Sequence, residues 1–271
     1  MSDFIGHECG IALIRLRKPL SYFIERYGTP TYGINKLYLL MEKQHNRGQD
    51  GAGVANLVID QRPGFPYLIR QRSTSNQPLV EIFEKLGSRF NRVQRNQKTK
   101  YKNSQWLKEN VPFAGEVFLG HLRYGTHGKN ALDFCHPFIR RSNWRSRNLA
   151  LAGNFNMTNV DELFDQLISF GQHPKEKTDT ITVLEKIGHF LDVENLRLWD
   201  EYQGKGFTDH EIALLIEDEL NMQTVLKRAC KGFDGGYAMI GIIGNGTSFV
   251  ARDPAGIRPA YYYANDEVIV I

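Results

Sequence analysis

Cys9-Gly10-Ile11-Ala12-Leu13-Ile14 is the stretch on which the reading of this chain turns. Residues 10–16 form a short apolar run of strand length and read as a buried strand. A cysteine directly ahead of such a strand is either a small core residue or a nucleophile. The second role is open to Cys9 without any histidine. If residues 1–8 are removed, Cys9 becomes the first residue, and its α-amine, with a pKa of about 7.7–8.0 against about 10.4 for lysine, can serve as the base. Nucleophile and base then arrive on one residue. The active form is therefore expected to begin at Cys9, with residues 1–8 a propeptide and Glu8-Cys9 the bond that is cut.

A chain of 271 residues can bury a sizeable core, and one domain over residues 9–271 is expected. With 41% hydrophobic and 24% charged residues the composition is that of a soluble globular protein. No apolar run is long enough to cross a bilayer, so no membrane partner is expected. The start Met-Ser-Asp-Phe-Ile-Gly-His-Glu lacks the basic and apolar regions of a secretion signal, and a cytoplasmic location follows. Cys9, Cys135 and Cys230 are an odd set without Cys-x-x-Cys spacing, which points away from a disulfide framework and from a zinc or iron-sulfur site. No metal is expected, and Cys135 and Cys230 read as core thiols. The net charge of +4 is mild, and Arg89, Arg92, Arg95, Lys98, Lys100 and Lys102 form a run without an acid. Having few aromatics and no nucleic-acid motif, that run reads as a solvated insertion loop, with no nucleic-acid partner.

Ile34, Leu37, Tyr38 and Met41 recur at helical spacing and predict a helix ending near Gln44. Pro19, Gly28, Pro30 and Gly33 make residues 18–35 a loop-rich excursion. Strands are predicted at 54–59 and 67–70, then a polar insertion over 72–112 with two short helices, then strands at 117–124 and 149–152. Helices follow at 160–170 and 180–191. Thr208-Asp209-His210-Glu211 is a capping-box signature for a helix reaching about Cys230. A hairpin at 237–243 and 248–252, turning through Gly244-Asn245-Gly246, precedes strands near 260–263 and 267–271. Strands first, helices together in the middle and strands at the end predict α+β layers rather than a doubly wound parallel sheet. A sequence that stops within Val268-Ile269-Val270-Ile271 reads as a fragment of a longer protein.

Five blocks, in order, carry a resemblance. They are Cys9-Gly10-Ile11; Gln44-His45-Asn46-Arg47-Gly48-Gln49-Asp50-Gly51-Ala52-Gly53; Gly120-His121-Leu122-Arg123-Tyr124-Gly125-Thr126-His127-Gly128; Leu151-Ala152-Gly153-Asn154-Phe155-Asn156-Met157-Thr158-Asn159 followed by Thr178-Asp179-Thr180; and Gly235-Gly236-Tyr237-Ala238 with Ala251-Arg252-Asp253-Pro254-Ala255-Gly256-Ile257-Arg258-Pro259. Together they resemble the glutamine-hydrolysing domain of the class II glutamine amidotransferases, which are N-terminal nucleophile hydrolases. The resemblance implies a four-layer αββα sandwich with insertions. Arg47-Gly48-Gln49-Asp50 and the block ending at Pro259 are most similar to the branch that delivers ammonia to phosphoribosyl pyrophosphate in purine biosynthesis. Asn46 is inserted relative to the family pattern, Gly153 stands where a histidine is usual, and Phe155 where a glycine is usual.

The chemistry implied is hydrolysis of glutamine to glutamate and ammonia through a thioester on Cys9. The Asn154 side chain and the Phe155 backbone N–H are implied as oxyanion donors. Arg123, a planar fork of donors, suits the α-carboxylate of glutamine, Asp179 suits its α-ammonium, Thr126 lines the same pocket, and Arg47 supports the nucleophile's surroundings. Apart from the blocks, Asn154 reads as a turn asparagine and Arg123 and Asp179 as ion-pair residues. Asp253 and Arg258 read as holding the terminal loop together. His121, His127 and His136 match no standard metal spacing and read as structural histidines. No cofactor is implied in this domain; magnesium with phosphoribosyl pyrophosphate belongs to an acceptor phosphoribosyltransferase domain beyond it, in an enzyme expected to be a homo-oligomer. Two other readings stay open: a catalytically silent binding or assembly module, and the glutaminase half of an asparagine synthetase-like enzyme.

Overall fold

Chain order begins with β1 (Gly10–Leu16), α1 (Leu20–Tyr27) and α2 (Tyr32–Glu42), then β2 (Gly51–Leu57) and β3 (Leu68–Ser73). Three helices, α3 (Pro78–Asn96), α4 (Lys98–Tyr101) and α5 (Ser104–Asn110), separate these from β4 (Val117–Arg123). β5 (Phe138–Arg140) and β6 (Leu149–Met157) lead into α6 (Val160–Ser169), α7 (Asp179–Tyr202), α8 (Asp209–Glu219) and α9 (Met222–Ala229). β7 (Gly235–Ile243), β8 (Ser248–Arg252), β9 (Tyr263–Ala264) and β10 (Val268–Val270) follow. The structure is a computed structural model that describes residues 8–125 and 132–271. It divides into two units: Met1–Pro137 with Ala152–Asn154 and Ala260–Ile271, and Phe138–Leu151 with Phe155–Pro259.

The first unit is built on a six-stranded sheet in the order β3-β2-β4-β1-β10-β9, antiparallel at every pairing. Side chains alternate across a strand, and the register decides which face each one meets. Ala12, Ile14 and Leu16 of β1, Val54 of β2, and Phe118 and Leu122 of β4 enter a core with Phe23 of α1, Leu37 and Met41 of α2, and Leu86 and Phe90 of α3. His121 and Arg123 have the opposite parity on β4 and face away from these helices, and both are buried. The registers Gly10↔Leu122 and Gly53↔His121 bring the residue ahead of β1 and the middle of β2 to that same region of β4.

In the second unit β5, β6, β7 and β8 form a four-stranded sheet. Leu149 and Leu151 of β6 and Met239 and Ile243 of β7 pack with Leu163 of α6, Val183, Ile187 and Leu191 of α7, and Val225 of α9. Each unit is thus one sheet with helices packed on it, which is the α+β class expected. No helix among the described residues is long and apolar enough to cross a membrane.

Three local expectations are corrected. Residues 18–35 are mostly helical: Pro19 caps the start of α1, and Gly28 ends it in a left-handed conformation at φ 71°, so the breakers there are helix punctuation. The basic run is no loop. Leu79, Ile82, Leu86 and Phe90 of α3 are buried at helical spacing, and the exposed basic face around them hid that period. The helix expected to run to Cys230 breaks at Leu220, where Asn221 starts α9 by accepting the Thr224 N–H at 3.1 Å.

Candidate active site

Cys9 lies one residue before β1 and is held to the peptide of Tyr124, just past β4. The Tyr124 N–H donates to its Sγ at 3.5 Å, and the thiol donates to the Tyr124 carbonyl at 3.9 Å. Burial pushes the thiol above its usual 9.0, while the Tyr124 peptide and the Arg123 and Arg47 guanidinium groups pull it back. The Gly125 N–H donates to Asp50 Oδ2 at 2.8 Å and the Asp50 N–H to the Arg123 carbonyl at 3.0 Å. Asp50 therefore fixes the backbone that contacts Cys9. Gly48 makes this approach possible, since a Cβ there would lie 2.7 Å from the Arg123 carbonyl carbon.

Asn154, near the end of β6, is buried with its side chain aimed at the residue preceding Cys9. Its Nδ2 donates to Glu8 Oε2 at 3.2 Å, and Arg47 Nη2 donates to the same oxygen at 2.9 Å. The amide nominated as oxyanion donor and the arginine nominated as support thus converge on one carboxylate oxygen of the residue before Cys9. Arg123, 5% exposed, sets its guanidinium 5.9 Å from the centre of the Phe134 ring. Thr126 and His127 lie outside the described residues.

Behind Asn154, the rings of His121 and His136 stack with centroids 4.1 Å apart. The Gly153 N–H donates to His136 Nδ1 at 3.2 Å, and His121 Nε2 sits 3.2 Å from the Gly153 carbonyl. Burial pulls His121 down to about 3, with the Arg123 charge adding to it. Burial, the neighbouring His121 and two arginines hold His136 well below the usual 6.5. Both rings are neutral near pH 7.

The second unit carries the other candidates. Asp179 begins α7 behind the Thr178 cap, and its Oδ2 accepts the Met157 N–H of β6 at 3.2 Å. Phe155 packs its ring on that unit's core. Among the described residues only Asp60 and Phe113 take a positive φ without being glycine, so Phe155 needs no left-handed backbone. Asp253 accepts the Ile257 and Arg258 N–H groups at 2.7 and 2.9 Å, the loop-holding part foreseen for it. Sequence reasoning missed Glu8 and the roles of Asp50 and the histidine pair; Asp50 lies inside the second block, whereas nothing local marks Glu8.

A solved structure of glutamine phosphoribosylpyrophosphate (PRPP) amidotransferase from B. subtilis, complexed with ADP and GMP, shares the fold. Its TM-score is 0.56 at 21% identity, over 96% of this chain and 41% of that one. In sequence the chain is similar to proteins named amidophosphoribosyltransferase. It is 25% identical over 224 residues to the Methanocaldococcus jannaschii protein of that name, covering 83% of this chain and 35% of the relative. To the Lacticaseibacillus casei protein it is 28% identical over 222 residues, covering 82% of this chain and 84% of the relative. The chain thus spans about a third of the Methanocaldococcus protein's length. No family model matches it.

Proposed function

We propose that this chain hydrolyses glutamine through a thioester on Cys9, as the ammonia-releasing half of an amidophosphoribosyltransferase-like enzyme of purine biosynthesis. The observation that carries the reading is the Glu8 carboxylate oxygen held by Asn154 Nδ2 at 3.2 Å next to Cys9. An anionic oxygen already rests on the amide that hydrolysis would need as a donor.

Removal of residues 1–8 leaves Cys9 with a free α-amine. That amine takes the thiol proton, and sulfur attacks the side-chain amide carbon of glutamine. Charge gathers on the amide oxygen, where Asn154 Nδ2 and the Phe155 N–H are assigned to donate. The carbon–nitrogen bond breaks, the proton passes from the α-ammonium to the departing nitrogen, and ammonia leaves. Water then cleaves the thioester, giving glutamate and the free thiol. Arg123 is assigned to the α-carboxylate, and Asp179 to the α-ammonium on the Thr178-Asp179-Thr180 block alone.

Protein whose sequence starts at Cys9 should release ammonia and glutamate from glutamine, and Cys9→Ala should not. Active material whose Edman sequence opened Met-Ser-Asp would sink the proposal, because the nitrogen of an internal Cys9 is an amide and offers no base.

A further inference from the structure

Asn154 follows a glycine, the residue with the widest backbone freedom, yet an oxyanion donor must be held to a fraction of an ångström. The peptide groups of Gly153 meet one histidine each, His136 at the N–H and His121 at the carbonyl. Hydrogen-bond chemistry fixes both tautomers. A carbonyl only accepts, so His121 carries its proton on Nε2; the Gly153 N–H only donates, so His136 Nδ1 is bare and its proton is on Nε2. A second proton on His136 would set two N–H groups against each other.

The pair is itself immobilised. His121 sits in mid-strand on β4, opposite Ile11 on one side and Gly53 on the other. Arg72 Nη1 donates to the Cys135 carbonyl at 2.9 Å and Arg70 Nη1 to the Pro137 carbonyl at 3.0 Å, one on each side of His136. Gly53 lets that segment lie against β2, since a Cβ there would collide with the His136 carbonyl oxygen. The two residues are 1% and 8% exposed. Two apolar side chains would fill this volume without burying polar ring nitrogens, among them His121 Nδ1, which has no hydrogen-bond partner among the described residues. Packing alone gives no reason for two imidazoles here.

From this geometry we infer that His121 and His136 are positioning residues, a neutral stacked pair that grips the Gly153 peptide groups and so aims the Asn154 amide at the reacting oxygen. Neither touches substrate. The inference rests on the glutaminase reading and adds to it how the oxyanion donor is held.

Four variants of the Cys9-initiated protein test it. His136→Leu removes the acceptor and His121→Leu the donor. His136→Asn can place Oδ1 where Nδ1 stood, and His121→Gln can place an amide N–H where Nε2 stood. The leucine variants should lower kcat by about 10- to 100-fold, the scale of a misplaced reacting geometry, with KM within about twofold. The asparagine and glutamine variants should recover most of that loss. In an Asn154→Ala background His136→Leu should cost nothing more, as expected for residues acting as one unit. Multiplying losses, or leucine variants with wild-type kcat, would overturn the inference.

If the unsubstituted Cys9-initiated protein releases no ammonia, the glutaminase reading fails, and NMR decides the clamp separately. The Asn154 side-chain amide signal should shift or broaden in His136→Leu and return in His136→Asn, with Gly153 amide exchange following the same order. An unmoved Asn154 signal overturns the clamp. Should His136→Leu not fold, His121→Leu and its glutamine counterpart give the same readouts.

Discussion

Cys9 in the uncut chain is a thiol that burial holds back. Since the thiolate is the reactive form, its alkylation by iodoacetamide should stay slow near neutral pH and climb only above the usual thiol value of 9.0. A rate that levels off below that value would show that Arg123 and Arg47 outweigh burial. Asn154→Ala in the Cys9-initiated protein removes one donor and should lower kcat by about 10²- to 10³-fold; near wild-type kcat would remove Asn154 from the oxyanion site. At this scale the blocks made Cys9, Arg47 and Asn154 legible as candidates, and Arg47 and Asn154 meet at the carboxylate of Glu8, the residue before Cys9. Glu8 and His136 were not legible, because their partners stand 146 and 17 residues away, and no spacing rule encodes a contact made by strand register.

Strands were read well and helices under-read, for a reason visible in α3. Its buried residues keep helical spacing, but basic and amide side chains fill the rest and make the segment look like loop. Packing predicts what that helix is worth. Leu86 is 1% exposed in the first unit's core, and Leu86→Ala should cost about 2–5 kcal/mol in denaturant unfolding. Thr208, which accepts the Glu211 N–H at 3.3 Å in an exposed capping box, should cost only about 1 kcal/mol when changed to alanine. A smaller loss for Leu86→Ala than for Thr208→Ala would mean that α3 is not packed as described. The break at Leu220 was legible in principle, since Asn221 is a strong N-cap residue, but the apolar period continues across it.

For the molecule as a whole, the blocks from Cys9 to Pro259 resemble those of a glutamine-hydrolysing domain, and nothing in the sequence resembles an apolar strand ending in paired acids followed by a phosphate-cradling loop. Phosphoribosyl pyrophosphate added to the 271-residue chain should therefore neither stimulate ammonia release nor yield phosphoribosylamine. Detection of that product by mass spectrometry would require an acceptor site within these residues. The α+β class was readable from the order of strands and helices. The grouping of Ala152–Asn154 apart from the rest of β6 was not, because no local pattern marks it.

The carboxylate resting on Asn154 has a consequence for the order of events in the protein's life. A glutamate side chain ends in the same group as the product of glutamine hydrolysis, so under the proposed function the uncut chain keeps a copy of that product on a leash. A short tether sets an effective concentration of about millimolar, and any free amino acid must compete with it. Cutting Glu8-Cys9 would then both create the base and turn a captive competitor into one that diffuses away. A Cys9→Ala chain, which cannot cut itself through this thiol, isolates the second effect. Adding Glu8→Ala to it should tighten free glutamate binding by about tenfold in calorimetry, the change expected when a millimolar tethered rival is lost, and equal affinities would mean that the leash does not compete.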